Sequence, residues 1–231
     1  MKTIGLLGGL SWESTALYYR WINEMVKEQL GGLHSARILL LSLDFQEIED
    51  LQHQDRWEEA GEIMARAARQ VEAGGADFLV ICSNTMHKVA PQVESAVGIP
   101  LLHIADATAE RIKEKGMTTI GLLGTRFTME QEFYKGRLEK EHGLRVLVPP
   151  PEDRELVHRV IYDELVLGII RDESRAEFLR IIDDLHDRGA EGVIEGCTEI
   201  VMLVQQEHTA VPLFDTTAIH AQAAVEWALS Q

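Results

Sequence analysis

The residues Ile4–Gly8 read IGLLG, and the same five residues recur half a chain length later as Ile120–Gly124. Each copy is a short apolar run that ends in glycine, as is typical of a buried parallel strand that leads into a tight turn. A second pair of segments is separated by nearly the same number of residues: Gly75–Thr85 (GADFLVICSNT) aligns with Gly189–Glu199 (GAEGVIEGCTE). The chain therefore looks duplicated.

The apolar runs and the segments between them predict the fold of each half. Residues 1–115 and 116–231 alternate short β-branched runs with segments of helical periodicity, which favours parallel strands joined by helical crossovers. We predict an α/β fold with two pseudo-symmetric lobes, each a parallel four-stranded sheet flanked by helices, and an active site in the cleft between them. Whether the last helix packs back on the N-terminal lobe stays open. The predicted strands are Thr3–Leu7, Arg37–Leu43, Phe78–Cys82, Pro100–Ile104, Thr118–Leu123, Leu144–Leu147, Gly192–Glu195 and Val211–Phe214.

Two helices can be bounded by their end signals. The segment Glu58–Val71 carries its apolar residues on one helical face and is followed by Gly74, which predicts a helix that stops at this glycine. In the second half, Ser174 and Glu177 have the spacing of a capping box. This spacing predicts a second helix that begins near Ser174 and ends at Gly189.

Composition and charge define a globular class and exclude several partners. The 231 residues are 45% hydrophobic and 26% charged, with a formal net charge of -16. Such a charge repels phosphate backbones and anionic lipid surfaces, so we expect neither nucleic acid nor membrane as a partner. A strand-like segment starts at the N-terminus without an export signal, which predicts a cytoplasmic protein in which Cys82 and Cys197 are free thiols.

Polar residues follow the third predicted strand of each half. In the aligned segments, Ser83 of the first half occupies the place of Cys197 of the second. Pseudo-twofold symmetry would set these two side chains facing each other, which suits a reaction that needs one group on each face of a carbon. A thiol can act as base and as acid, and helix N-termini lower its pKa. We expect the amides of Thr198 and Glu199 to point at Cys197 or at a bound carboxylate.

Three ordered motifs carry a resemblance to a known family. The segments Cys82–His87 (CSNTMH) and Gly196–Glu199 (GCTE) resemble the paired signatures of the aspartate/glutamate racemase family. The segment Gly8–Thr15 (GGLSWEST) resembles the opening motif of one branch of that family. The resemblance extends over essentially the whole chain, and it identifies the chain as similar to enzymes that exchange an α-proton between two residues, usually both cysteines.

The resemblance implies an isomerase that racemises aspartate, glutamate or both without pyridoxal phosphate, another cofactor or a metal, and that forms a homodimer. It assigns catalysis to Cys197 and Ser83. The chain departs from the commonest pattern, because Ser83 stands where the first cysteine is usual and Cys82 lies one residue early, on the opposite face of the strand. The branch that it resembles also carries a hydroxyl residue there. Because an alcohol is a much weaker base than a thiolate, the two directions of racemisation should be unequal, with the L-amino acid favoured by the resemblance.

Further residues are candidates for binding an amino acid or for supporting the two proton carriers. Hydroxyl and amide residues at the predicted strand ends are either turn formers or donors to an α-carboxylate, and their common location favours the second role. Arg126 is a candidate partner for a distal carboxylate, and Gln52 matches a substrate-binding position by resemblance. His87 either supports Ser83 or is structural. The substrate-binding residues predicted in this way are Leu10, Gln52, Asn84, Thr85, Thr125, Thr198 and Glu199.

Other functions remain open at this point. The same superfamily scaffold serves other carbanion reactions, such as those of hydantoin racemase, arylmalonate decarboxylase and maleate isomerase. Ser83 is also compatible with a non-catalytic protein that binds a small anion. The segment Gly5–Gly9 lacks the spacing of a dinucleotide fingerprint and the nine histidines show no paired ligand spacing, so neither a nucleotide cofactor nor a metal is predicted.

Overall fold

The computed structural model describes residues 1–230 and divides the chain into two compact units. Unit 1 comprises Met1–Ile104 together with the segment that begins at His220, and unit 2 comprises Ala105–Ile219. The boundary was predicted after residue 115, which would have placed the helix Ile104–Glu114 in the first half. The chain thus leaves unit 1 after Ile104 and returns to it at His220.

Each unit is built on a four-stranded parallel sheet, which confirms the predicted fold class. The first sheet has the order β2-β1-β3-β4 and the second has the order β6-β5-β7-β8. In both, the first and third strands of the unit pair at the centre. Each predicted strand has a counterpart within a few residues: β1 (Ile4–Gly8), β2 (Ile38–Ser42), β3 (Phe78–Ile81), β4 (Leu101–Leu102), β5 (Thr119–Gly124), β6 (Arg145–Leu147), β7 (Val193–Gly196) and β8 (Leu213–Asp215).

Helices connect the strands, as parallel pairing requires. Short 3-10 helices cover Thr85–Val89, Leu165–Leu167 and Gln206–His208. The α-helices are α1 (Trp12–Leu30), α2 (Phe45–His53), α3 (Trp57–Ala73), α4 (Ala90–Ala96), α5 (Ile104–Glu114), α6 (Arg126–Glu130), α7 (Lys135–Lys140), α8 (Pro151–Asp163), α9 (Asp172–Asp187), α10 (Ile200–Leu203) and α11 (Thr216–Leu229). Within residues 1–230, no helix has the length and apolar character needed to cross a bilayer.

The two helix predictions differ in outcome. Helix α3 ends at Ala73 with Gly74 as its C-cap, as predicted. The capping box predicted at the start of α9 is wrong, because Ser174 lies inside the first turn and donates its hydroxyl to Glu164 Oε2 at 2.6 Å instead of capping. The helix begins two positions earlier, where Asp172 and Glu173 place negative charge at the positive end of the helix dipole.

The core of unit 1 lies on both faces of its sheet. Leu7 and Ile81 belong to the cluster that contains the buried face of α3. Leu6, Val80 and Cys82 belong to a second cluster, which contains residues of α1 and of α11. Successive strand residues thus point to opposite faces, and both faces are buried. The chain returns to unit 1 because α11 covers one of these faces.

Candidate active site

In unit 1 the candidate site is the turn after β3. Ser83 is partly exposed between buried neighbours, and its Oγ accepts the Met86 N–H at 3.4 Å. Cys82 is fully buried in the apolar core, and this burial raises the pKa of its thiol. The expectation that Cys82 cannot take the place of Ser83 is therefore consistent with the structure, because the two residues have different surroundings.

Two predicted binding residues of unit 1, Gln52 and Leu10, are buried in the same region as this turn. Gln52, on α2, is 3% exposed, and its amide donates to Met86 Sδ at 3.0 Å. The Leu10 side chain is buried in the same apolar cluster as Met86. The side chain of Leu10 therefore belongs to the apolar core of unit 1, and only its backbone could serve a ligand.

The glycine turn after β1 contains a strained residue that sequence reasoning missed. Ser11 has a φ of 121°, which is unusual for a residue with a side chain. It caps α1 by accepting the Ser14 N–H at 3.4 Å, while Thr15 Oγ1 accepts the Gly9 N–H at 2.9 Å. Gly9 has a positive φ, and a Cβ there would collide with the Leu43 carbonyl. The backbone of this turn is thus held in one shape by several contacts. The sequence signal was the pair of glycines Gly8 and Gly9 followed by Ser11, within the Gly8–Thr15 motif.

In unit 2 the candidate site is the turn after β7. Gly124 and Gly196 are register partners on β5 and β7, so Thr125 and Cys197 emerge side by side. The Cys197 thiol, 9% exposed, donates to Glu199 Oε2 at 3.0 Å. Thr198 Oγ1 donates to the same oxygen at 2.6 Å. The structure therefore brings four of the predicted site residues of this half together.

The surroundings of Cys197 change the expected acidity of its thiol. Burial raises the pKa of Cys197 well above its ordinary value, and the negative charge of Glu199 raises it further. The hydrogen bond to the carboxylate acts in the same direction, while the Glu199 amide acts against it. Of the two amides expected to point at Cys197 or at a bound carboxylate, that of Glu199 acts on the thiol, but the expected lowering of the thiol pKa is wrong because burial and a carboxylate outweigh this amide. The thiol holds its proton at neutral pH.

Thr125 and Arg126, on the neighbouring turn after β5, have partners inside the unit. Thr125 caps α6, where its Oγ1 accepts the Thr128 N–H at 3.4 Å. Arg126 has a half-exposed side chain that lies 3.9 Å from Glu155. Thr125 thus serves as a turn former whatever else it binds, and Arg126 keeps a loose surface ion pair.

A pair of carboxyl groups near Cys197, the buried Glu195 and the partly buried Asp215, was not anticipated. Glu195 and Asp215 are register partners on β7 and β8, so their side chains lie on the same face of the sheet. Burial, and to a smaller extent the nearby Asp215, raise the pKa of Glu195 to about 8. Glu195 Oε1 is buried without a hydrogen-bond partner within residues 1–230. The sequence signal was a glutamate inside an otherwise apolar strand.

The fold and these two turns define a class: an α/β protein with two alike sheets, in which a hydroxyl and a thiol follow equivalent strands. The family signature of the Asp/Glu/hydantoin racemases matches residues 7–224. The chain belongs to this family, as its motifs had indicated.

Solved and curated relatives agree with this assignment. A Yersinia pestis protein provisionally named an Asp/Glu racemase is 56% identical, with a TM-score of 0.95 and 100% of both chains covered. An aspartate racemase homologue from Pyrococcus horikoshii is 35% identical, with a TM-score of 0.87 and the same coverage. A broad specificity amino-acid racemase of Bacillus subtilis is 22% identical over 166 residues, which are 68% of this chain and 67% of that protein.

The contact between Cys197 and Glu199 predicts how a single substitution changes thiol reactivity. Glu199→Gln removes the negative charge that raises the thiol pKa, so the thiolate fraction at pH 8 should increase, roughly tenfold for each unit by which the pKa falls. The rate of alkylation by iodoacetamide measures this fraction. Cys197→Ala supplies the background from Cys82. Equal or slower alkylation of Glu199→Gln would contradict the assigned role of the carboxylate.

The buried carboxyl of Glu195 predicts a pH dependence of stability. Because its folded pKa of about 8 lies above the ordinary value of 4.5, the folded state binds the proton more tightly, and its stability falls as pH rises between these values. At about 1.4 kcal/mol per pKa unit, the ionised carboxyl lowers folding stability by a few kcal/mol at pH 8. Glu195→Gln should remove this decline in urea unfolding measured from pH 5 to pH 8.

A matched control has the opposite sign. Glu191 accepts backbone N–H bonds from Thr118 and Thr119, which lower its pKa. Glu191→Gln should therefore lose stability above the ordinary carboxyl pKa while keeping the decline caused by Glu195. An unchanged decline in Glu195→Gln would show that this carboxyl is ionised throughout.

Proposed function

We propose that the protein is a cofactor-independent amino-acid racemase that acts on aspartate, glutamate or both. In this proposal Cys197 and Ser83 exchange the α-proton on opposite faces of the substrate carbon. The observation that carries it is the hydrogen bond from the Cys197 thiol to Glu199 Oε2, which gives a buried thiol a proton acceptor at the carboxyl end of a parallel strand.

The first proton transfer needs a thiolate. The S–H proton of Cys197 first passes to Glu199 Oε2. The thiolate then takes the α-proton of the substrate, which leaves a planar carbanion. A thiolate whose conjugate acid has a raised pKa is scarce but strongly basic, which suits the removal of a weakly acidic C–H proton. The negative charge of Glu199 makes the thiolate scarcer, but its Oε2, 3.0 Å from the thiol, is the group that receives the thiol proton when the thiolate forms.

The second transfer comes from the other face. Ser83 donates its hydroxyl proton to the carbanion, which yields the mirror-image amino acid and an alkoxide. The alkoxide regains a proton from solvent and Glu199 releases one to solvent, which restores both residues. The partial exposure of Ser83 among buried neighbours supports this role, since a substrate can reach its Oγ. In the reverse direction an alcohol must act as the base, so this direction is slower.

Recognition of the substrate depends on local donors, because the protein carries a net charge of -16 and the overall field repels an anion. We assign the α-carboxylate to side chains and amides of the two turns and the distal carboxylate to Gln52 or Arg126. Buried polar residues at the turns support this assignment: Asn84, Thr85, Thr125 and Thr198.

The proposal extends to the setting of the enzyme. Two free thiols fit the reducing cytoplasm, and the family resemblance favours a homodimer. Sedimentation of the purified protein tests the second point, since a monomer at micromolar concentration would contradict it.

The test of the proposed function is α-proton exchange in deuterium oxide, followed by NMR over a panel of L- and D-amino acids. We expect exchange and inversion of aspartate or glutamate by the unmodified protein. Cys197→Ala should lose both while remaining folded, and Cys82→Ala is the matched thiol control that should keep both. A binding protein would exchange nothing, and exchange by Cys197→Ala would exclude Cys197 as the base.

The difference between the two proton carriers predicts an asymmetry of rates. The enantiomer whose α-proton faces Cys197, expected to be the L-form, should exchange much faster than its mirror image. Ser83→Cys supplies a second thiol and should raise exchange of the slow enantiomer, bringing the two rates closer, while the equilibrium ratio stays at one. Equal rates in the unmodified protein, or no gain after Ser83→Cys, would show that Ser83 is not the opposing carrier.

A further inference from the structure

A buried imidazole bridges the Ser83 turn and the end of β4. The carbonyl of Ser83 accepts a hydrogen bond from His87 Nδ1 at 2.7 Å, and His87 Nε2 accepts the Ile104 N–H at 3.2 Å. A carbonyl can only accept and an amide N–H can only donate. The two bonds therefore fix the His87 tautomer: the proton is on Nδ1, and Nε2 carries a lone pair.

A second buried histidine, His220, bonds the same strand end. His220 Nε2 lies 2.9 Å from the Leu102 carbonyl and must donate to it. His220 Nδ1 lies 2.8 Å from the hydroxyl of Tyr18, on α1, and in the neutral ring it accepts the proton of that hydroxyl. This ring therefore has the opposite tautomer, with the proton on Nε2.

The imidazoles of His87 and His220 form hydrogen bonds with neighbouring peptide groups. Leu102 O and Ile104 N flank His103, whose ring centroid lies 4.5 Å from that of His87. His87 and His220 are themselves 5.8 Å apart, with their rings near the edge-to-face arrangement. Because His87, His103 and His220 are at most 4% exposed, water cannot readily substitute for the bonds that their nitrogens make.

We propose that His87, supported by Tyr18 and His220, is a positioning residue that sets the location of Ser83 from the end of β4. Strand β4 is only two residues long, so its ladder gives this segment little support. The 3-10 helix after Ser83 is likewise a single short element. The imidazole bridge ties these two short elements together, and the Tyr18–His220–Leu102 bonds hold β4 against α1 and α11.

The effect of His87 on the rate of inversion rests on the proposed function. A carbanion formed at Cys197 has two outcomes: it regains a deuteron from Cys197 with retention, or it receives a hydrogen from Ser83 with inversion. A displaced Ser83 reduces inversion and leaves exchange with retention intact. The ratio of inversion to retained exchange therefore reports the position of Ser83 and is insensitive to a loss of folded enzyme.

Two substitutions separate the bonds of the imidazole. In His87→Gln, Oε1 can replace Nε2 as acceptor of the Ile104 N–H, but the donor to Ser83 O is lost. In His87→Asn, Nδ2 can replace Nδ1 as donor to Ser83 O, but the acceptor of the Ile104 N–H is lost. His186→Asn is the control, since His186 Nδ1 bonds the Ala190 carbonyl at 2.8 Å in unit 2.

We expect the ratio of inversion to retained exchange to fall roughly tenfold or more in His87→Gln, because small misplacements of a reacting group have large kinetic effects. The ratio should fall less in His87→Asn, which keeps a donor to Ser83 O, and it should also fall in Tyr18→Phe. In His186→Asn the ratio should be unchanged. A ratio that is unchanged in His87→Gln, with total exchange reduced or not, would overturn the positioning role.

A spectroscopic measurement keeps the inference separate from the proposed function. Long-range ¹H–¹⁵N correlation of the imidazoles, assigned with the His87 variants and with a His220→Gln variant, should show His87 protonated at Nδ1 and His220 at Nε2. If the unmodified protein exchanges no α-proton, the proposed function fails, and the tautomers alone decide the inference. Protonation of His87 at Nε2 would then overturn the bridge to Ser83, and protonation at Nδ1 would support it.

Discussion

The close backbone approach of β5 and β7 is the constraint on which the candidate chemistry depends. A Cβ on Gly196 would lie 2.7 Å from the Leu123 carbonyl, and a Cβ on Gly124 would lie 2.9 Å from the carbonyl of Gly196. Only glycine fits at both positions without moving the strands. Because these two residues are the last in their strands, Thr125 and Cys197 leave the sheet together, and the thiol meets Glu199 in the turn that follows.

Short-range patterns made much of the fold predictable. The strands are apolar runs bounded by polar or glycine residues, so the runs could be located from the sequence, and the helical segments between them predicted that the strands are parallel. The duplication placed Ser83 and Cys197 at equivalent turns, because an alignment of the two halves needs no knowledge of tertiary structure. The start of α9 was not predictable in this way, because Ser174 bonds Glu164, a residue outside the helix.

The electrostatics of the site were harder to predict than its location. The amide of Glu199 and the carboxylate of the same residue have opposite effects on Cys197, and the balance depends on burial and on a 3.0 Å contact that the sequence does not contain. The histidine bridge is a similar case, since Tyr18 and His220 are 202 positions apart. The pairing of Glu195 with Asp215 required the strand register, which the sequence pattern left unspecified.

The return of the chain to unit 1 has a consequence for biosynthesis. The residues of unit 2 form one continuous segment, so this unit has all its parts once Ile219 has left the ribosome. Unit 1 is the first to be synthesised, but it lacks α11 until synthesis is nearly complete. Until then one apolar face of its sheet is not covered by Ala221, Ala224 and Val225. During that interval the nascent chain exposes a surface that aggregates or recruits a chaperone. The half of the protein that is translated first is therefore the half that is completed last.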